Sequence, residues 1–152
     1  MIQISEISAL ETFKVRHPVL RPGKPVESCH FDGDEFLSTR HFGLFVNEIL
    51  AGVISLFKQH NAAFANDNQF QIRGMAVLEN FRKRGFGEQL VLHVEHVVNE
   101  QYGNLIWFNA REVAVKFYSN LGYMIVGDAF EIPDVGTHYK MYKILDQNFG
   151  IV

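Results

Sequence analysis

The stretch Gly74-Met-Ala-Val-Leu-Glu-Asn-Phe-Arg-Lys-Arg-Gly-Phe-Gly-Glu-Gln-Leu90 restricts the fold more than any other part of the chain. An apolar strand runs into a basic turn with two glycines. The turn opens a helix on which Leu90, Val91, Val94, Val97 and Val98 recur at helical spacing, giving one apolar stripe from about Gly87 to Glu100. The first amides of a helix have no internal partners and sit at the positive end of its dipole. Gly85 and Gly87 let a bulky anion come close to those amides, and Arg82, Lys83 and Arg84 add positive charge at the same place. A glycine pair alone would be only a helix entry with solvated cations. The agreement of strand, cations and stripe predicts a phosphate site, suited above all to a pyrophosphate.

Two familiar phosphate patterns do not fit. A dinucleotide-binding turn wants a third glycine where Leu90 stands, and a nucleotide P-loop wants Gly-Lys-Ser or Gly-Lys-Thr, which does not occur.

Around this segment the chain reads as helix, strands, helix, strand, helix, strands. Ser8 and Glu11 have the spacing of a capping box, and Pro18 should stop the helix they open. His41–Val46 and Ile49–Phe57 are apolar runs joined by the tight turn Asn47-Glu48, a hairpin pattern. Further strands are expected over Gln69–Leu78, Leu105–Asn109, Tyr123–Val126 and Thr137–Tyr142. A helix carries Ala114, Phe117, Tyr118 and Leu121 and is closed by Gly122. The long connection His17–Asp34 holds three prolines and two glycines, and loops of that length often carry function.

These signals predict an α/β fold with a mixed sheet in a single domain over 1–152. Its 152 residues are 47% hydrophobic and 20% charged, which excludes a disordered chain. A formal net charge of −3 argues against a nucleic-acid partner. Neither a signal peptide in Met1–Leu10 nor a membrane-spanning stretch is expected. One cysteine, Cys29, supplies neither a disulfide nor a zinc cage, so a reducing cytoplasm fits best. Cys29, His30, Asp32, Asp34 and Glu35 match no standard metal spacing, and no metal is expected. His93 and His96 lack the glutamate of a zinc-protease helix and are expected to face solvent.

Arg82-Lys83-Arg84-Gly85-Phe86-Gly87 resembles the acetyl-coenzyme A motif of the GNAT N-acetyltransferase family: Arg or Gln, two residues, Gly, one residue, Gly or Ala. The preceding Arg73–Val77 is similar to that family's central strand. Downstream, Asn109, Ala114, Phe117, Tyr118, Gly122 and Tyr123 are similar to its second signature. The resemblance covers roughly Phe42 to Tyr142. It implies a mostly antiparallel mixed sheet, splayed at the middle strands and flanked by helices. It also implies direct transfer of acetyl from acetyl-CoA to a primary amine of a small molecule or peptide.

Residue by residue, the resemblance implies that Met75, Ala76 and Val77 offer backbone groups to the pantetheine arm. Arg82, Lys83 and the amides from Arg84 through Gly85, Phe86 and Gly87 to Glu88 would hold the pyrophosphate. Asn109 and Phe117 would lie beside the pantetheine. Tyr118 is the implied general acid, against the plain reading of a core residue beside Phe117. A neutral amine nucleophile needs a general base, for which Glu131 and His138 are the candidates. Arg73, in an apolar strand, is a candidate for binding a carboxylate on the acceptor; its bland alternative is an ion pair with Glu131 or another acid. A protein that keeps the coenzyme site but has lost transfer, a sensor or interaction module, is the alternative function. Dimerisation is common among relatives, so a homodimer is compatible with the sequence.

Overall fold

The computed structural model describes residues 1–145. Its main elements, among those residues, are β1 (Ile2–Ile7), α1 (Ala9–Leu20), β2 (Arg40–Val46), β3 (Ile49–Phe57), β4 (Gln69–Val77), α2 (Phe86–Glu100), β5 (Leu105–Arg111), α3 (Val115–Asn120), β6 (Met124–Ile132) and β7 (Gly136–Ile144). The strands form one mixed sheet in the order β1-β2-β3-β4-β5-β7-β6. Antiparallel pairing dominates it, and β4 with β5 is the parallel pair. The expected α/β class with a mixed, mostly antiparallel sheet is therefore observed. The chain divides into two compact units, Met1–Lys58 with Ile72–His96, and Gln59–Gln71 with Val97–Val152.

In the first unit, the Ser8 side chain accepts from the Glu11 amide while Glu11 accepts from the Ser8 amide, so the capping box forms and starts α1. Pro18 does not stop α1, which runs on to Leu20. A proline this close to the C-terminus forfeits a single intrahelical hydrogen bond, and the Arg21 amide closes the helix on the carbonyls of Arg16 and His17. The β2–β3 hairpin turns at Asn47 and Glu48, with φ of 47° and 72°. Both central residues at positive φ are the mark of a type I′ turn, whose twist matches the strands. Val15, Val53 and Ala76 form a core cluster joining α1, β3 and β4, with Ile7, Leu50 and Leu78 packed around it. Each buried valine contributes about 1.5–3 kcal/mol by leaving water. Leu90, Val91 and Val94 of α2 are fully buried, as the stripe predicts.

In the second unit, β4 and β5 pair over Gln69–Gln71 and Leu105–Trp107. β5 continues to Arg111 along β7. Gly103 precedes β5 at a close approach: a Cβ there would lie 2.3 Å from Val98 and 2.8 Å from the Phe70 ring. Tyr118 of α3 stacks on Phe108 at 4.2 Å between ring centres. Gly122, at φ +96°, ends α3. The last two strands are longer than predicted. β6 breaks register between Val126 and Phe130, where Gly127 adopts φ +76°, and then rejoins β7.

Candidate functional site

The first unit carries the segment from β4 to α2. Gly74 sits within β4 at φ +65°, an irregularity between Arg73 and the expected pantetheine residues Met75, Ala76 and Val77. After β4 the chain makes a short 3-10 turn at Glu79–Phe81 and enters α2 through Lys83 (φ +65°) and Gly85 (φ +80°). Phe86 is buried and anchors the first turn of α2, with its ring 6.5 Å from that of Phe81.

The Gly85 carbonyl accepts from the Gln89 amide, while the amides of Gly85, Phe86, Gly87 and Glu88 bond no backbone acceptor among the described residues. Space beside Gly85 is open, since a Cβ there would meet nothing within 4 Å. Arg82, Lys83 and Arg84 are exposed and make no ion pair among the described residues. Arg82 donates through Nε to the Val77 carbonyl at 3.2 Å, and the Arg84 guanidinium lies 5.5 Å from the Phe81 ring centre. Four free amides at a helix start, an open glycine and three uncompensated cations fit a pyrophosphate.

Upstream on β4, Arg73 has its guanidinium over two rings, 4.7 Å from the centre of Phe31 and 5.2 Å from that of Phe57. Burial pushes its pKa down, and the nearby charges of Arg16 and Arg21 act in the same direction against Asp34 and Asp32. The ion pair anticipated as its bland alternative does not form among the described residues.

The second unit holds the remaining candidates. Tyr118 is buried and flanked by Phe117 and Phe108, 5.0 and 4.2 Å away. Burial pushes its hydroxyl well above the ordinary phenol value, so it stays a protonated donor. Asn109 is exposed and lines a cavity of about 390 Å³ with Ala63, Val126, Gly127, Asp128, Phe130 and Lys140. Glu131 is exposed and accepts a hydrogen bond from the Thr137 hydroxyl at 2.5 Å. His138 is buried, with Nδ1 2.8 Å from the Gly136 carbonyl. That acceptor requires the proton on Nδ1, so in the neutral ring Nε2 carries the lone pair.

Cys29 is buried, which raises its thiol pKa and disfavours the reactive thiolate. Its neighbour Asp34 is occupied by Arg16. His96 is exposed as expected; His93 instead packs edge-on against Phe42, 4.7 Å between ring centres. Sequence reasoning missed Phe31, a lone aromatic in a long loop, and Asp128. The Gly127-Asp128 pair was the available signal for Asp128, because a glycine inside a strand pattern marks a bulge.

The model of the acetyltransferase (GNAT) family matches residues 7–123. The chain belongs to this family. An N-acetyltransferase of Bacillus subtilis (strain 168), YitI, is 33% identical over 145 residues, covering 95% of this chain and 97% of that one. Among solved structures, an aminoglycoside 6'-N-acetyltransferase complexed with coenzyme A is similar at a TM-score of 0.75, with 17% identity over 93% of this chain and 96% of the other. The ribosomal-protein-S18-alanine N-acetyltransferase of Escherichia coli is similar at 0.74, with 16% identity over 95% and 94%. At such identities these two likenesses show the fold. The family match begins at Ile7, well before the Phe42 from which the resemblance is legible in the sequence. Members of the GNAT family are acyltransferases that use acetyl-CoA. No helix among the described residues is long and apolar enough to cross a membrane.

Proposed function

We propose that this GNAT protein transfers the acetyl group of acetyl-CoA directly to a primary amine of a small molecule or peptide. The observation that carries the proposal is the row of unpartnered amides from Gly85 to Glu88, beside the uncompensated cations Arg82, Lys83 and Arg84. Acetyl-CoA supplies an activated acyl thioester. The backbone of Met75, Ala76 and Val77 offers hydrogen-bonding groups to the pantetheine. In the transfer a nitrogen–carbon bond forms, the carbon–sulfur bond breaks, one amine proton goes to a base, and sulfur leaves as a thiolate that takes a proton from solvent to become the thiol.

Tyr118 serves the sulfur side. Its hydroxyl, held protonated by burial, stabilises negative charge growing on sulfur by donating a hydrogen bond. His138 serves the amine side, because its free Nε2 is an acceptor whereas the Glu131 carboxylate is engaged by Thr137. Exchanging Tyr118 for Phe should lower kcat about tenfold to a hundredfold with acetyl-CoA affinity unchanged. A loss below about threefold would return Tyr118 to the core. His138→Gln should flatten the acid limb of the kcat/KM profile; an unaltered limb removes His138 as base.

Calorimetric titration of acetyl-CoA tests the site itself. The intact protein should bind in the micromolar range, and Arg84→Glu and Gly85→Glu should each weaken binding at least about tenfold, or ~1.4 kcal/mol. Absence of binding by the intact protein overturns the proposal. Binding without thiol release on any amine identifies a coenzyme-binding module instead.

A further inference from the structure

The first unit holds a guanidinium that forms no ion pair among the described residues. Arg73 is half-buried on β4, next to the left-handed Gly74. Phe31 and Phe57 present their rings to its guanidinium. Its hydrogen bonding among the described residues is a single contact of 3.5 Å to the Asp32 carbonyl, at the limit of what counts as a hydrogen bond. A guanidinium carries five N–H donors and keeps its charge at any working pH. Nearly the whole donor fork of Arg73 is unspent.

The surroundings deepen this deficit. Asp34, the buried acid nearby, is taken up by two hydrogen bonds from Arg16 and one from the Phe31 amide. Asp32 is exposed and forms no ion pair among the described residues. The guanidinium of Arg16 also lies 3.9 Å from the Phe31 ring centre and that of Arg21 5.9 Å. Three arginines thus gather about one ring with one fully engaged carboxylate among them. Desolvating a cation without a partner anion is unfavourable, so an anion from outside the chain would be favoured at this fork. The two aromatic rings that frame the fork favour a flat group, and a planar carboxylate matches a guanidinium with two parallel hydrogen bonds.

Resting on the acetyltransfer reading, we infer that Arg73 docks a carboxylate on the acceptor, which makes the substrate class a small primary amine bearing a carboxylate, such as an amino acid. A rival role for Arg73 is purely structural, a stacked tether for Phe31. That role explains the ring contacts and leaves the empty donor fork unexplained. It also predicts that losing Arg73 harms every acceptor alike.

The test is a panel of the common amino acids, each with its carboxamide, and of aminoalkyl phosphonates, assayed for thiol release from acetyl-CoA. Acetyl-CoA binding is measured in parallel. The intact protein should prefer a carboxylate over its own amide by about tenfold or more in kcat/KM, the effect of one charged contact worth ~1.4 kcal/mol. In Arg73→Gln that ratio should fall towards one through the acceptor KM, with acetyl-CoA affinity unchanged, and Arg73→Lys should keep part of it. A ratio that survives in Arg73→Gln, a preference for amides or phosphonates, or no turnover in the carboxylate arm overturns the inference while the coenzyme still binds. Loss of coenzyme binding by the intact protein instead removes the acetyltransfer reading, and this inference with it.

Discussion

Arg16 and Asp34 are both completely buried and meet through hydrogen bonds of 2.7 and 3.2 Å. Arg16 also donates to the Cys29 carbonyl and the Ser55 hydroxyl, and His41 bonds Ser55 and the Asp34 carbonyl. Five residues therefore share one polar knot, in which Arg16 Nε has no hydrogen-bond partner among the described residues. Removing one side of such a pair leaves a buried charge uncompensated, so Asp34→Asn should cost about 3–5 kcal/mol, read as a lower urea midpoint. Burial alone would raise the Asp34 pKa, but hydrogen bonds from Arg16 and the Phe31 amide outweigh it and the net shift is downward from 3.8. A lowered carboxylate stabilises the fold above its unfolded pKa and loses that contribution as pH falls through the lower, folded value. Stability of the intact protein should thus drop steeply below about pH 4, and Asp34→Asn should show a shallower drop. Parallel profiles for the two proteins would show that Asp34 is not the group responsible.

Among the elements, the β2–β3 turn gives the sharpest test, because Glu48 occupies a left-handed position that side chains disfavour. Such a conformation costs a non-glycine residue about 1–2 kcal/mol, and an Asn-Gly pair is the preferred type I′ sequence. Glu48→Gly should therefore raise the melting temperature by about 2–4 °C, and an unchanged or lower value would mean the turn is held by something other than local geometry. The hairpin was legible despite that strain because its two flanking runs are long and apolar. The β4–α2 segment was legible because charge, glycine and helical periodicity coincide in it. β1 was not: Ile2, Ile4 and Ile7 alternate only in part, and half of its residues are exposed. β6 was truncated in the reading because Gly127-Asp128 looks like a turn, whereas the strand bulges there and resumes at Phe130. The pyrophosphate residues lie within one short segment and could be read together. The ring of arginines about Phe31 is drawn from α1, a loop and β4, and no local pattern announces a contact made by tertiary packing.

Across the whole chain, acids outnumber bases by seventeen to fourteen, so its long-range field repels an anionic coenzyme. The triplet Arg82-Lys83-Arg84 attracts one at contact range. Salt separates these two influences, because the screening length shrinks from about 10 Å at 0.1 M to about 3 Å at 1 M. Were the global charge dominant, added salt would strengthen coenzyme binding. Local attraction should prevail instead: three cations without an ion pair among the described residues lie within one turn of four amides that bond no backbone acceptor there, while the acids are spread along the chain. Acetyl-CoA affinity measured by calorimetry should fall several-fold as sodium chloride is raised from about 0.05 to about 0.5 M. Arg84→Glu should flatten that dependence, since it removes one attractive charge and adds a repulsive one at the same spot. An affinity that rises with salt in the intact protein would place the balance of charge on the scale of the molecule and deny the triplet its role.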